Sequence, residues 1–297
     1  METQIEKASV LVEALPYLQR FRGHTFVIKV GGSAMEDEHL IDALARDLVL
    51  MEVVGVNPVI VHGGGKFISA AMEKAGLEPN FVGGFRVTDE AAISIVQETL
   101  EGEVNPWLTA KVRSHGGRAI SLRGTDVFQA TRLSGKDEEG KPVDLGFVGK
   151  VETVRSELVD LAIHGERVAV VSPLATDQEG SGSPLNVNAD LAASALAQTL
   201  KATKLVYLSD VLGVMRDRTD PRSLIGTLTE SDVESLIKEG VIQGGMIPKV
   251  RSSLEALKAG VQKVHMIDGR IPHSTLLEVF TDGGIGTEIV HGKGCST

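Results

Sequence analysis

Lys29 interrupts an otherwise apolar run, Phe26-Val27-Ile28-Lys29-Val30, and a second lysine, Lys249, stands where the loop Gly244-Gly245-Met246-Ile247-Pro248 feeds a helix. An ammonium inside an apolar strand is costly unless it meets an anion or snorkels out of the strand end. A lysine in a first helical turn opposes the macrodipole, so either a bound anion or simple exposure must account for Lys249. Two glycine turns, Gly31-Gly32-Ser33 and His62-Gly63-Gly64-Gly65, each follow a strand-like run and precede a helical pattern. Glycine allows close backbone approach, and helix starts offer free N–H groups to phosphate; tight turns alone are the plainer alternative. Leu185-Asn186-Val187-Asn188-Ala189-Asp190 puts two amides on one face if extended, then enters a helix, where an acid is also favoured by helix electrostatics alone. Arg86 lies beside another helix start and can fork onto a carboxylate or rest on the surface. The chemistry these residues suit is the handling of small phosphorylated and carboxylated anions.

Familiar alternatives fail on spacing. A dinucleotide fingerprint from Gly63 needs glycine at 68, which is Ile68; a phosphate loop ending in Gly65-Lys66 needs Ser or Thr next, but Phe67 follows, and Gly149-Lys150 is followed by Val151. The esterase-like His62-Gly63-Gly64-Gly65 lacks the Gly-x-Ser-x-Gly partner motif. The 8 histidines are scattered without zinc-ligand spacing, so no protein-built metal centre is expected. Cys295, the single cysteine, cannot form an intrachain disulfide and reads as a passive tail residue.

These residues need a frame. Residues 5–22 read as an amphipathic helix with Val10, Leu11, Ala14, Leu15 and Leu18 on one side and a kink at Pro16. A strand at 26–30 and a helix from Glu38 to Val54 are followed by a strand at 58–61 and a helix through Ile68, Met72 and Ala75, closed by Gly76. Successive strand–turn–helix units predict a parallel sheet with right-handed crossovers and both glycine turns at strand carboxyl ends, where open α/β sheets bind ligands. Thr88 or Asp89 caps a long helix towards Ser114, and 118–156 reads as strands and hairpins, with Ser134-Gly135-Lys136-Asp137 a turn. Then come strand 167–172, a flexible loop 175–184, helix 190–200, strand 204–209, helices 230–239 and 249–259, strand 263–267 and helix 272–280. The class is α/β.

The chain has 297 residues, 42% of them hydrophobic, a net charge of −10 and a mean hydropathy of +0.07. That acidity argues against nucleic-acid and anionic-membrane surfaces. No uncharged apolar stretch approaches the roughly 18 residues of a membrane span, and no signal-like leader is seen, so a cytoplasmic enzyme is expected.

Six segments together resemble the amino acid kinase family in order and spacing: Lys29-Val30-Gly31-Gly32, Val61 to Gly65, Gly84-Phe85-Arg86-Val87-Thr88, Asn186 to Asp190, Leu208 to Val214, and Gly244 to Lys249. The likeness runs from about residue 10 to about residue 290. It implies a three-layer α/β/α sandwich with a mostly parallel open central sheet. It further implies an oligomerisation helix in 1–22, an N-lobe in 23–200 for substrate and dimerisation, and a C-lobe in 201–297 for ATP and an effector. The branch it matches phosphorylates the side-chain carboxylate of N-acetyl-L-glutamate with ATP, Mg²⁺ being held mainly by the nucleotide phosphates. A related amino acid kinase acting on acetylaminoadipate or another carboxylate, or a non-catalytic arginine or nucleotide sensor, is the alternative. Carried over by motif, Lys29 and Lys249 stabilise the transferring phosphoryl group and Asp190 holds both lysines. Gly31, Gly32, Gly63, Gly64 and Gly65 cradle phosphate; Gly64, Gly65, Arg86 and Asn186 bind substrate; Ser209, Asp210, Gly213, Val214 and Lys249 bind nucleotide. Arginine-inhibited members are trimers of dimers with a kinked N-terminal helix, which implies an effector site at Tyr17, His273, Glu278 and Gly284. The sequence departs from the pattern at Val30, Ser33, Lys66 and Pro106-Trp107.

Overall fold

The computed structural model describes residues 2–136, 140–281 and 283–292; Asp137 and Cys295 lie outside them, as do the side chains of Val10 and Leu11. Eight strands form the central sheet in the order Thr227–Leu228, Thr287–Val290, Lys263–Asp268, Lys204–Ser209, Thr25–Val30, Asn57–His62, Val168–Val171, Ala119–Leu122. From Lys263–Asp268 to Ala119–Leu122 every pairing is parallel. Thr287–Val290 reverses against Lys263–Asp268 and carries Thr227–Leu228 parallel to itself.

Strand alternation sends successive side chains to opposite faces, and each face has its own apolar cluster. Val27, Val59, Val61 and Tyr207 face the helices Ala189–Thr199 and Met246–Lys258. Phe26, Ile28, Val30 and Ile60 face Glu38–Val53 and Asn105–Ser114. The result is the expected three-layer sandwich. Lys29 shares the face of Val27, so the same alternation that fills the core aims its ammonium at the start of Ala189–Thr199. The first cluster draws on residues from both sides of position 200, so the sheet and its core run on across that boundary.

Several elements differ from expectation for identifiable reasons. The helix between Asp89 and Ser114 is α-helical over Glu90–Gln97 and Asn105–Ser114 but π-helical over Glu98–Val104. Pro106 has no N–H to return to the preceding turn, and the register widens just before it. The loop expected at 175–184 is instead two strands, Leu174–Asp177 and Pro184–Val187, with only the polar Gln178–Ser183 run left as a turn. They close a four-stranded barrel with Phe128–Lys136 and Pro142–Val154. The first glycine turn opens a 3₁₀ turn, Gly32–Met35, that no periodicity signalled, while the α-helix starts at Glu38 as expected, under an Asp37 cap. Met246–Lys258 begins three residues before its expected start, because Pro248 in a first turn forfeits no helical bond. His273 is left-handed (φ 60°), which shortens the last helix to Ser274–Val279. The N-terminal helix Glu2–Phe21 stays helical on both sides of Pro16.

Asn105, buried beside the π-helical segment, donates to the carbonyls of Leu122 (3.2 Å) and Val170 (3.1 Å), tying the edge strand Ala119–Leu122 to its neighbour Val168–Val171. Asn105→Leu leaves those bonds unmade in a dry site. It should cost about 1–3 kcal/mol of folding free energy, read as a lower urea midpoint at unchanged m-value.

Candidate active site

Asp190 is the second residue of Ala189–Thr199, and the Asn188 side chain caps that helix by accepting from the N–H groups of Asp190 (2.9 Å) and Leu191 (3.2 Å). The cap fixes where Asp190 points. Its Oδ1 lies 2.9 Å from Lys29 Nζ and its Oδ2 3.6 Å from Lys249 Nζ. Each of the three side chains is about one-fifth exposed or less. Burial alone would raise the Asp190 carboxyl; the two ammonium groups override it and hold the carboxyl below its ordinary 3.8. The structure thus gathers three residues spread over 220 positions of sequence into one cationic centre.

The two glycine turns lie back to back beside it: a Cβ on Gly63 would sit 3.5 Å from Gly31 Cα. A Cβ on Gly31 would strike Lys29 Nζ at 2.5 Å. Gly32 has φ +67°, and a Cβ there would meet Asp210 Oδ1 at 2.5 Å. Asp210 Oδ1 accepts from the backbone N–H (2.9 Å) and hydroxyl (2.7 Å) of Ser33, so the residue at that departing position ties the turn to the end of the Lys204–Ser209 strand. A Cβ on Gly64 would collide with Leu100 Cδ2, in the π-helical segment. Lys66 pairs with Glu36 at 2.5 Å on the exposed rim, joining the two turns from outside.

A cavity of about 170 Å³ opens on one side of these turns and includes Gly63, Gly64, Gly65, Arg86, Leu100 and Asn186 in its lining. Arg86 is buried, with Nη2 donating to Gly65 O and to Ser69 Oγ, both at 2.8 Å, and its guanidinium stacked 4.6 Å from the Phe81 ring centre. Asn186 donates to Thr88 Oγ1 at 3.2 Å. On the other side a larger cavity of about 490 Å³ includes Asp210, Gly213, Val214, Gly245, Met246 and Arg270. Ser209 is buried at the end of its strand just before Asp210. The small cavity suits a short carboxylate and the large one a nucleotide-sized molecule, with the lysine centre between.

A third cavity, about 230 Å³, is remote from these and includes Tyr17, Arg20, Lys204, Lys263, Glu278 and Gly284. His273 is not part of it: its Nδ1 lies 2.5 Å from Asp47 Oδ1, on the helix Glu38–Val53. Beneath the cavity Lys204 Nζ contacts His265 Nε2 (3.0 Å), and His265 Nδ1 contacts Glu278 Oε1 (2.7 Å). Burial, reinforced by Lys263, pushes the Lys204 ammonium down to about 8.

Leu100 and Phe81 do not stand out in the sequence, nor does the capping role of Asn188. The first two look like core residues in a one-dimensional pattern, and Asn188 carried a cap signal that was present but unused. Among the described residues no group of three or more His, Cys, Asp or Glu is placed to hold a metal, and no helix is long and apolar enough to cross a membrane.

The amino acid kinase family model matches residues 24–268, and the chain belongs to that family. Within it, the chain is 55% identical to the acetylglutamate kinase of Akkermansia muciniphila over 96% of both chains. It is 49% identical to that of Aquifex aeolicus over 97% of this chain and 99% of the relative. Among solved structures, it resembles N-acetylglutamate synthase from Neisseria gonorrhoeae complexed with coenzyme A and N-acetyl-glutamate, with a TM-score of 0.82 at 26% identity. That match covers 95% of this chain but 63% of the synthase. Carbamate kinase from Giardia lamblia shares the fold, with a TM-score of 0.64 at 18% identity over 91% of this chain and 99% of that one.

Asp190→Asn keeps the shape but removes the charge between the lysines. Because the native carboxyl sits below its unfolded value of 3.8, its contribution to stability is full above that pH and fades as pH falls through the native value. The variant should therefore lose less stability than the parent as pH falls below about 4, while its turnover at neutral pH falls at least about a hundredfold. Acid titrations of the urea midpoint and single-turnover rates check the two parts separately.

Proposed function

We infer that the chain transfers the γ-phosphoryl group of ATP to the side-chain carboxylate of N-acetyl-L-glutamate, giving an acyl phosphate and ADP, a step of amino-acid biosynthesis. The observation that carries the mechanism is the Lys29–Asp190–Lys249 centre set between two cavities and two glycine turns. The observation that carries the acceptor is the set of acetylglutamate kinases matched along nearly the whole chain, which disfavours acetylaminoadipate as substrate and a sensor role.

A glutamate side chain has a pKa near 4.3 and arrives ionised, so no general base is needed. The acceptor carboxylate oxygen attacks γ-phosphorus in line, and the bond to the β,γ-bridging oxygen breaks with its electron pair leaving on ADP. The chemical demand is to bring two anions together and to stabilise charge on the phosphoryl oxygens. Lys29 and Lys249 supply charge, Asp190 keeps them apart and aimed, and Gly32 and Gly64 bring backbone donors close. Arg86 and Asn186 orient the acceptor. The nucleotide phosphates would chiefly hold Mg²⁺, and Asp210, which lines the nucleotide cavity, is the carboxylate that would help hold it there.

The third cavity is read as an arginine effector site formed by Tyr17, Glu278 and Gly284, without His273, which pairs with Asp47 elsewhere. The N-terminal helix leaves Ile5, Val12 and Leu15 exposed, which supports its packing against another protomer in a trimer of dimers. A cytoplasmic location fits this chemistry.

Lys29→Ala and Lys249→Ala should each cut kcat at least about a hundredfold in folded protein. ATP turnover with acetylglutamate as sole acceptor is the decisive assay; a silent wild-type protein would refute the reading. Arg86→Lys should raise KM for acetylglutamate more than KM for ATP, since a planar fork becomes a point charge. Deleting residues 1–22 should give active dimers that arginine no longer inhibits, as read by sedimentation and inhibition curves.

A further inference from the structure

His62 ends the Asn57–His62 strand immediately before the second glycine turn, and its side chain is fully buried. Burial drives the imidazole down to about 4, against the pull of its bond to Gly63. The ring is therefore neutral at physiological pH. Nδ1 lies 2.7 Å from the carbonyl oxygen of Gly63. A carbonyl only accepts, so the proton belongs on Nδ1 and the lone pair on Nε2. That Nε2 is buried and has no hydrogen-bond partner among the described residues. An unpaired buried acceptor is destabilising, and an apolar side chain of similar size would avoid it. As a core filler, then, histidine is a poor choice at this position.

The neighbouring peptide units show what the ring provides. The unit before is held by Gly63 N–H donating to Val30 O at 2.6 Å, and the unit after by Ile68 N–H donating to Gly64 O at 2.9 Å. Between them lies the Gly63–Gly64 peptide. Glycine on both sides gives that plane little intrinsic preference. The His62 bond to its carbonyl is the one hydrogen bond given for it among the described residues. A trans peptide is planar, so fixing the Gly63 carbonyl also fixes the Gly64 N–H on the opposite side. Gly63, Gly64 and Gly65 all line the small cavity next to the lysine centre.

We propose that His62 is a positioning residue: its Nδ1–H locks the Gly63–Gly64 peptide so that the Gly64 N–H faces the transferring phosphoryl group. The proposal rests on the phosphoryl-transfer reading above. It separates His62 from a merely structural residue, because the two roles rank substitutions in opposite order. His62→Asn can place an amide N–H where Nδ1 stood, though it fills the core less well. His62→Leu fills the core and removes the unpaired acceptor, but has no donor.

The test compares the two variants in urea midpoint, in kcat and KM with ATP and acetylglutamate, and in affinity for ADP with aluminium fluoride, a mimic of the transferring phosphoryl group. The proposal expects His62→Leu to match or exceed the wild-type midpoint while losing about tenfold to a hundredfold in kcat, with KM for acetylglutamate little changed. Its affinity for the mimic should fall by a similar factor. His62→Asn should be less stable yet retain most of kcat and of mimic affinity. Wild-type kcat and mimic affinity in His62→Leu would overturn the proposal, as would parallel loss of both in the two variants. Should the leucine variant fail to fold, His62→Gln puts its amide a bond too far out and must show the same kinetic loss. Mimic binding needs no acceptor turnover, so failure of the acetylglutamate reading would show in the wild type and failure of the His62 proposal only in the variants.

Discussion

A carboxylate shared by two ammonium groups organises this molecule. Buried alone, Asp190 would tend to protonate; Lys29 and Lys249 would repel each other and drift towards water. Together they leave one net positive charge in a largely dry site, and that surplus is what an incoming phosphoryl group can use. The arrangement is exacting because each partner arrives on a different element. Lys29 comes from a central strand, Asp190 from a capped helix start, and Lys249 from the first turn of Met246–Lys258. The sheet order and the two helices over one face can be understood as the means of bringing these three backbone positions within reach. Breaking such a centre is costlier than never having built it, since removal of one charge leaves another uncompensated.

Crowding around that centre explains the glycines better than flexibility does. At Gly31 the obstacle to a side chain is the Lys29 ammonium, at Gly32 the Asp210 carboxylate, and at Gly64 a leucine methyl carried in by the π-helical turn. Only Gly32 of the three also needs a left-handed backbone. Each glycine is therefore required by a neighbour that itself belongs to the active region, so the turns and the charged centre constrain one another.

This mutual dependence also marks where the sequence was legible. Lys29 stood out because strand periodicity is strict and a charge violates it. Asp190 did not, because an acid in a first helical turn is ordinary, and only the geometry shows two lysines on it. The parallel sheet was readable from repeated strand–turn–helix units, which are local patterns. The four-stranded barrel was not, because its closing strands flank a polar stretch that dominates any short window over 175–184. The π-helical turn was invisible because apolar spacing continues smoothly through it, although Pro106 signalled that some adjustment was needed. His273 was placed by likeness to a motif, whereas its left-handed backbone turns it to Asp47 and away from the remote cavity.

That cavity and the nucleotide cavity sit at opposite ends of the same two strands. Lys204 and Lys263 begin Lys204–Ser209 and Lys263–Asp268 at the side of the remote cavity. The residues just past the other ends, Asp210 and Arg270, line the nucleotide side. Arg270 is held by paired bonds to Asp268 at 2.9 and 2.7 Å, and Asp210 holds the first glycine turn through Ser33. A six-residue strand spans about 20 Å, too far for direct electrostatic influence through solvent at physiological salt. Any coupling between the two cavities would instead run through a change in how these strands sit against the Asp47–His273 and Asp210–Ser33 contacts. A ligand in the remote cavity would act on the other only by binding one such arrangement better than another. The buried Lys204–His265–Glu278 chain gives it something to discriminate, because a ligand that rearranges one member must re-satisfy all three.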